Sequence, residues 1–257
     1  MNISDGGHHP DQPTAAATVA ESLAHMVLND LTPGSSLPSE AELSALYDVS
    51  RLTIREAVKL LEGRGLLVIA RGRKAVVREP DSAAFADFLT SVIRYDSKGL
   101  FDLVEIRLSL EVQSATLAAK RATRAGIAAI ESELQGMRDS AGAPGDPLTT
   151  QMELDFHTHD VGFHEAVALA SGNRVLGFLF EAMANPLREG FFISRQGHEQ
   201  RGHSLHDTIA AHQRILDCIK SGNGRAAADA MRLHLKDTER DIRMAVSQLS
   251  RRPAKTS

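Results

Sequence analysis

Asp160 and His164 stand four residues apart in a stretch of helical periodicity, so both side chains can meet one cation. His212 lies ten positions before Gly222, and His234 ten positions after Gly224. Gly222-Asn223-Gly224 reads as the turn of an antiparallel helical hairpin. At about 1.5 Å per residue, both imidazoles then sit about 15 Å from that turn, level with each other. One carboxylate and three imidazoles from three helices make a cage for a divalent metal ion, Zn²⁺ first and Ni²⁺ or Mn²⁺ as alternates. The plainer reading keeps His212 and His234 as core or interface histidines. His206, about two turns before His212, can line the same cavity. His157, His159, His198 and His203 are assigned to the surface or a pocket rim. Arg107 and Glu111 are also four apart, and two readings stand. One is a helical ion pair contributing about 0.3–0.5 kcal/mol. The other has Arg107 clamping a carboxylate ligand in the pocket. Asn173, at a helix junction, is a pocket residue or a cap.

A second group of residues suits a polyanion. Ser39 followed three residues later by Glu42 is a capping box, and Ser50 is a second N-cap. Short helices are therefore expected over about 40–47 and 51–62. Arg51 and Arg55 project from one face of the second helix with Thr53 beside them, while Ile54, Val58 and Leu61 face inward. A short hairpin follows, with strands near 66–69 and 75–77 and a basic tip at Arg71-Gly72-Arg73. Residues 51–78 hold eight basic and two acidic side chains, a net +6, while the whole chain carries -4. Two capped helices, a tight turn and a hairpin form a winged helix-turn-helix pattern. Its second helix is placed to enter a DNA major groove. Phosphate or minor-groove contact is expected at the hairpin tip.

The elements that must carry these groups are mainly helical. With 257 residues, 42% hydrophobic, no Trp and 2 Tyr, a large all-β fold is unfavourable. One Cys excludes an intramolecular disulfide framework. No apolar run is long enough for a membrane span, and the N-terminus lacks an apolar signal core, so a cytoplasmic protein is expected. Residues 1–15 read as a disordered tail and 16–80 as the winged helix-turn-helix domain. Residues 81–250 form an all-helical bundle of six or seven helices. Those helices are expected at about 82–95, 99–121, 123–138, 151–171, 173–195, 204–221 and 224–248, with another from Thr18 to Asp30.

The runs Leu37-Pro-Ser-Glu-Ala-Glu-Leu43, Val49-Ser-Arg-Leu-Thr-Ile-Arg-Glu-Ala57 and Leu61-Glu-Gly-Arg-Gly-Leu66 resemble the signature of GntR-type bacterial transcription regulators. The resemblance implies operator contacts by Arg51, Thr53 and Arg55 and by the wing glycine Gly72, with Ser39, Ser50, Arg71 and Arg73 alongside. Ala41 departs from the Arg that many members carry there, and Leu52 stands where Thr is frequent. Residues 103–122, Asp160-Val-Gly-Phe-His164 with Ser171-Gly-Asn173, Ala211-His212-Gln-Arg-Ile-Leu216 and Met231-Arg-Leu-His234-Leu are similar to the FadR-type (FCD) effector domain. In its metal-containing branch the positions of Asp160, His164, His212 and His234 bind a divalent cation, and that of Arg107 helps hold an acidic effector.

The expected function is a ligand-responsive regulator, a repressor of a catabolic operon. As a homodimer it reads a pseudo-palindromic operator and is controlled by a small organic or sugar acid. Two alternatives belong to other classes. One is a metal-dependent hydrolase in which the Asp/His₃ cation activates water, with His206 or Glu165 as the proton carrier. The other is a metal sensor in which the cation itself is the signal.

Overall fold

The computed structural model describes residues 13–69, 74–95, 98–143, 145 and 147–249. The wing-tip residues Arg71, Gly72 and Arg73, and most of the expected disordered tail, lie outside them. The chain divides into two compact units between Ala84 and Phe85.

The first unit opens with α1 (Ala15–Asn29), three residues earlier than the periodicity suggests. Thr14 explains the early start, because its hydroxyl accepts from the Ala17 amide at 3.2 Å. Next come α2 (Glu40–Tyr47) and α3 (Arg51–Gly63). The turn between them depends on Asp48, whose φ of 51° is left-handed, a region aspartate tolerates better than most side chains. Leu23, Leu43, Ile54, Leu61 and Leu67 close the core of this unit. Strands β1 (Leu67–Val68) and β2 (Val76–Val77) pair antiparallel, with Leu67 opposite Val77. The segment before α2 joins the outer edge of β2. Gly34 donates to the Val77 carbonyl at 2.9 Å, Val77 to Ser35 at 2.8 Å, and Leu37 to Ala75 at 2.8 Å. This third pairing joins residues about 40 positions apart, and nothing local in Thr32-Pro33-Gly34 announces it.

Among the described residues the second unit is a bundle of seven helices. They are α4 (Ala83–Tyr95), α5 (Gly99–Arg121), α6 (Arg124–Ala141), α7 (Thr150–Ala170), α8 (Arg174–Gln200), α9 (Leu205–Lys220) and α10 (Gly224–Leu249). Helix α10 lies against α5, α8 and α9, and α7 against α5, α6 and α8. Leu134, Met137, Phe156, Phe163, Ile215, Met231 and Leu235 fill the space between them. No helix among the described residues is long and apolar enough to cross a membrane.

The largest departure from the expected boundaries is at α8, which runs on through Gly197 to Gln200 instead of stopping near 195. Gly197 is a helix interior here because α10 passes directly over it. A Cβ at Gly197 would lie 1.7 Å from the Asp241 carbonyl oxygen. A glycine in a helix signals a break in sequence, but close helix packing can require one as well.

Candidate functional site

Helices α7, α9 and α10 bring the predicted ligands together. The Nε2 atoms of His212 and His164 are 3.3 Å apart, and those of His234 and His164 are 3.2 Å apart. The Oδ1 of Asp160 lies 3.2 Å from His212 Nε2. His164 and His212 are buried, while Asp160 and His234 are partly exposed. The equal spacing about the Gly222-Asn223-Gly224 turn has the expected result: the His212 and His234 rings meet at 4.5 Å between centroids.

What lies behind the imidazoles decides what they can do. His212 Nδ1 is 2.8 Å from the Thr208 carbonyl, one helical turn back, so it must carry the proton and donate. His164 Nδ1 faces Glu111 Oε2 at 2.5 Å. In a neutral ring, a donating Nδ1 leaves a lone pair on Nε2. Two such lone pairs 3.3 Å apart cannot hydrogen-bond each other. A shared electrophile between them satisfies both, and the cluster of three imidazoles, with Asp160 3.2 Å from one of them, suits a divalent cation.

The electrostatics favour the same state. Burial pushes the His164 imidazole down, and the opposing pull of Glu111 does not reverse it. Burial also lowers His234, well below the usual range, with His212 and His164 adding to the effect. For Asp160 burial alone would raise the carboxyl, but hydrogen bonding and charge from His212 hold it far below the carboxylate range. Burial opposes ionisation of Glu111 as well, yet Arg107 and His164 bring it to about 2. His164 and His234, held down toward the neutral form beside ionised carboxylates, are in the state in which these groups ligate metals.

Arg107 Nε donates to Glu111 Oε1 at 2.5 Å, and both side chains are buried. The two sequence readings of Arg107 are therefore compatible. It forms the ion pair, and it also lines a cavity of about 230 Å³ together with Asp160, His164 and His234. The pair is a buried relay to His164, not the exposed helical pair weighed from sequence. His157 is buried on this cavity, not at a surface, and burial pushes it down to about 4. His198 and His203 also line it. Two expected pocket residues are elsewhere. Asn173 is exposed and caps α8, its Oδ1 accepting from the Val175 amide at 3.1 Å. His206 is not among the cavity's lining residues. His159 is engaged away from the cavity, 2.9 Å from Glu133. Sequence reasoning also missed Glu111 and Thr208 as the groups that orient His164 and His212. The only local signal was that an (i, i+4) helix position can reach a carbonyl or partner one turn away.

In the first unit, α3 presents Arg51, Leu52, Arg55 and Lys59 to solvent and buries Ile54, Val58 and Leu61. The Ser50 hydroxyl accepts from the Thr53 amide at 3.1 Å and lies 2.9 Å from the Thr53 hydroxyl. Ser39 and Glu42 complete the capping box, the Ser39 amide donating to Glu42 at 2.7 Å. Arg55 is not a free cation. It grips Glu40 of α2 with two bonds, Nε to Oε1 at 3.0 Å and Nη2 to Oε2 at 2.8 Å. A bidentate grip of this kind fixes the plane of the guanidinium.

Comparison with known proteins gives the same two parts. Residues 15–77 match "Bacterial regulatory proteins, gntR family", and residues 102–237 match "FCD domain". The chain is 28% identical over 213 residues to the HTH-type transcriptional regulator LutR of Bacillus subtilis (strain 168), covering 82% of this chain and 92% of the relative. It is 31% identical over 204 residues to the galactonate operon transcriptional repressor of Escherichia coli (strain K12), covering 77% and 83%. The solved structure of Streptococcus agalactiae GntR superposes with a TM-score of 0.63 at 29% identity, covering 88% of this chain and 99% of that one. These relatives are transcription regulators, which sets aside the hydrolase reading of the Asp/His₃ group. The chain belongs to the gntR family of bacterial regulatory proteins, with a winged helix-turn-helix domain followed by an FCD domain, and it is a transcription regulator, not an enzyme.

Proposed function

We propose that the protein is a metal-containing, acid-responsive repressor of a catabolic operon. Asp160, His164, His212 and His234 would hold a divalent cation, with zinc favoured by the imidazole-rich set. When bound, that cation supplies open coordination positions that accept a carboxylate. Arg107, lining the same cavity, meets the other side of that carboxylate. Glu111 keeps Arg107 and His164 in place. The observation that carries the reading is the convergence of His164, His212 and His234, with Nε2 atoms 3.2–3.3 Å apart, beside the cavity that Arg107 lines. The galactonate operon repressor among the relatives makes a sugar acid a natural candidate effector.

Operator reading falls to Arg51, Thr53 and Arg55 on α3, supported by the caps Ser39 and Ser50 and by the wing residues Arg71, Gly72 and Arg73. A homodimer would place two α3 helices in successive major grooves about 34 Å apart, on a pseudo-palindromic site. An effector binding one arrangement of the two heads more tightly than the other shifts the population away from the operator-bound form. Operator DNA then weakens effector binding by the same factor.

The test is an operator titration with full-length protein and a site selected from random duplexes, run with a panel of organic and sugar acids. One or more acids should lower operator affinity, and Arg107→Ala should abolish the response without abolishing operator binding. If no acid changes operator affinity, the reading fails. Operator binding that follows added metal alone would make the cation itself the signal.

A further inference from the structure

We propose that Leu52 is a base-reading residue of α3, and that the group it reads is the methyl of thymine, one in each half-site of the operator. This rests on the placement of α3 in the major groove proposed above.

An exposed leucine by itself signals little, because folded proteins carry many. The direction of this one is informative. Ile54, Ala57, Val58 and Leu61 form the buried side of α3. With about 3.6 residues per turn, Leu52 projects about 170° from their mean direction, straight away from the core. It stands in the first helical turn, just after the Ser50 cap, and is 63% exposed. Arg51 and Thr53 lie about 100° to either side of it. A groove that receives the N-terminal end of α3 therefore meets Leu52 at its floor, where the base edges are.

The neighbours support this direction. The Thr53 hydroxyl lies 2.9 Å from that of Ser50, and Glu40 fixes the plane of the Arg55 guanidinium. Both flank Leu52 and leave most of its surface open. One turn further on, exposed Glu56 continues the same outward line. A carboxylate is a poor neighbour for phosphate, so this line suits base edges better than backbone.

The chemistry of the side chain then selects the base. Guanine, adenine and cytosine present only donors and acceptors in the major groove, whereas thymine presents an acceptor and a C5 methyl. Leucine has neither donor nor acceptor. Pressed on a guanine, adenine or cytosine edge, it would strip water and return no hydrogen bond. Pressed on the thymine methyl, it removes apolar surface from water on both sides of the contact.

The experiment selects an operator for full-length protein from random duplexes. Its thymines are then replaced one at a time by deoxyuridine, which removes only the C5 methyl. One thymine in each half-site should be sensitive, with wild-type affinity falling about 4-fold for each methyl. Leu52→Ala should bind the intact and the substituted duplexes alike and melt at the wild-type temperature. Arg51→Ala should bind all of them more weakly and keep the sensitivity. A full deoxyuridine penalty retained in Leu52→Ala would overturn the proposal, as would wild-type protein indifferent to every replacement. A lowered melting temperature for Leu52→Ala would place the side chain in packing within the protein and overturn it too. If no duplex is selected at all, the groove placement of α3 falls, and this inference falls with it.

Discussion

The two units present their functional groups in opposite ways. In the first, Arg51, Arg55 and Lys59 are exposed on one helix, where the proposed operator would meet them from outside. In the second, Arg107, Glu111, His164 and His212 are buried, and the first three are already paired with one another. An exposed cation in water interacts weakly with any single neighbour, so the first unit needs many charges and tolerates the loss of one. A buried ionisable group without a partner is costly, so the second unit needs every member of its network. The difference predicts graded losses in one unit and large, localised losses in the other.

The widest gap should come from His212→Ala. Removing a buried ligand should lower metal content and destabilise the bundle by about 4 kcal/mol, the mass-action effect at free metal about 1,000 times its Kd. Elemental analysis together with thermal unfolding checks it, and unchanged metal content would remove His212 from the ligand set. Gly197→Ala comes next. With the Asp241 carbonyl 1.7 Å from the added Cβ, α8 and α10 must separate, at a cost of about 3 kcal/mol. A wild-type unfolding midpoint would show that this packing is looser than described.

Arg51→Ala should be milder, a loss of about 1–3 kcal/mol in operator binding with acid binding retained. Operator affinity of wild type should also fall steeply with salt. Loss of acid binding in the Arg51 variant would break the division of labour between the units. The smallest effect is a pH dependence at His198. Burial pushes this imidazole down, but Asp241 and the Ser204 carbonyl outweigh it and hold the group above its ordinary value. A raised folded-state value means the stabilisation is complete below the unfolded value of about 6.5 and fades as pH rises through the folded one. The stability advantage of wild type over His198→Gln should therefore shrink from about pH 6 to pH 8 in paired thermal melts. An advantage that grows with pH would contradict the Asp241 pairing.

The seven bundle helices and both helices of the DNA-reading pair were legible because their signals are local: apolar periodicity, Ser39 and Ser50 caps, and Gly-rich breaks. Part of the site was legible for a similar reason. A tight turn makes distance along the chain a measure of height, so His212 and His234 could be set level from their spacing alone. Asn173 stayed open between cap and pocket residue because one residue type serves both roles in the same sequence context, and the structure shows the cap. Gly197 misled in a related way, since sequence shows a missing side chain but not the helix that takes its place.

Charge distribution, capping and helix register were thus determined by the sequence itself, because they depend on neighbours within a few positions. Only the tertiary structure decided that Glu111 stands behind His164 and that Arg55 is gripped by Glu40. It also decided that His157 and His198 face one cavity with Arg107. Each of these joins different helices, the buried ones far apart in the chain, and which of several possible partners a charge finds depends on how those helices pack.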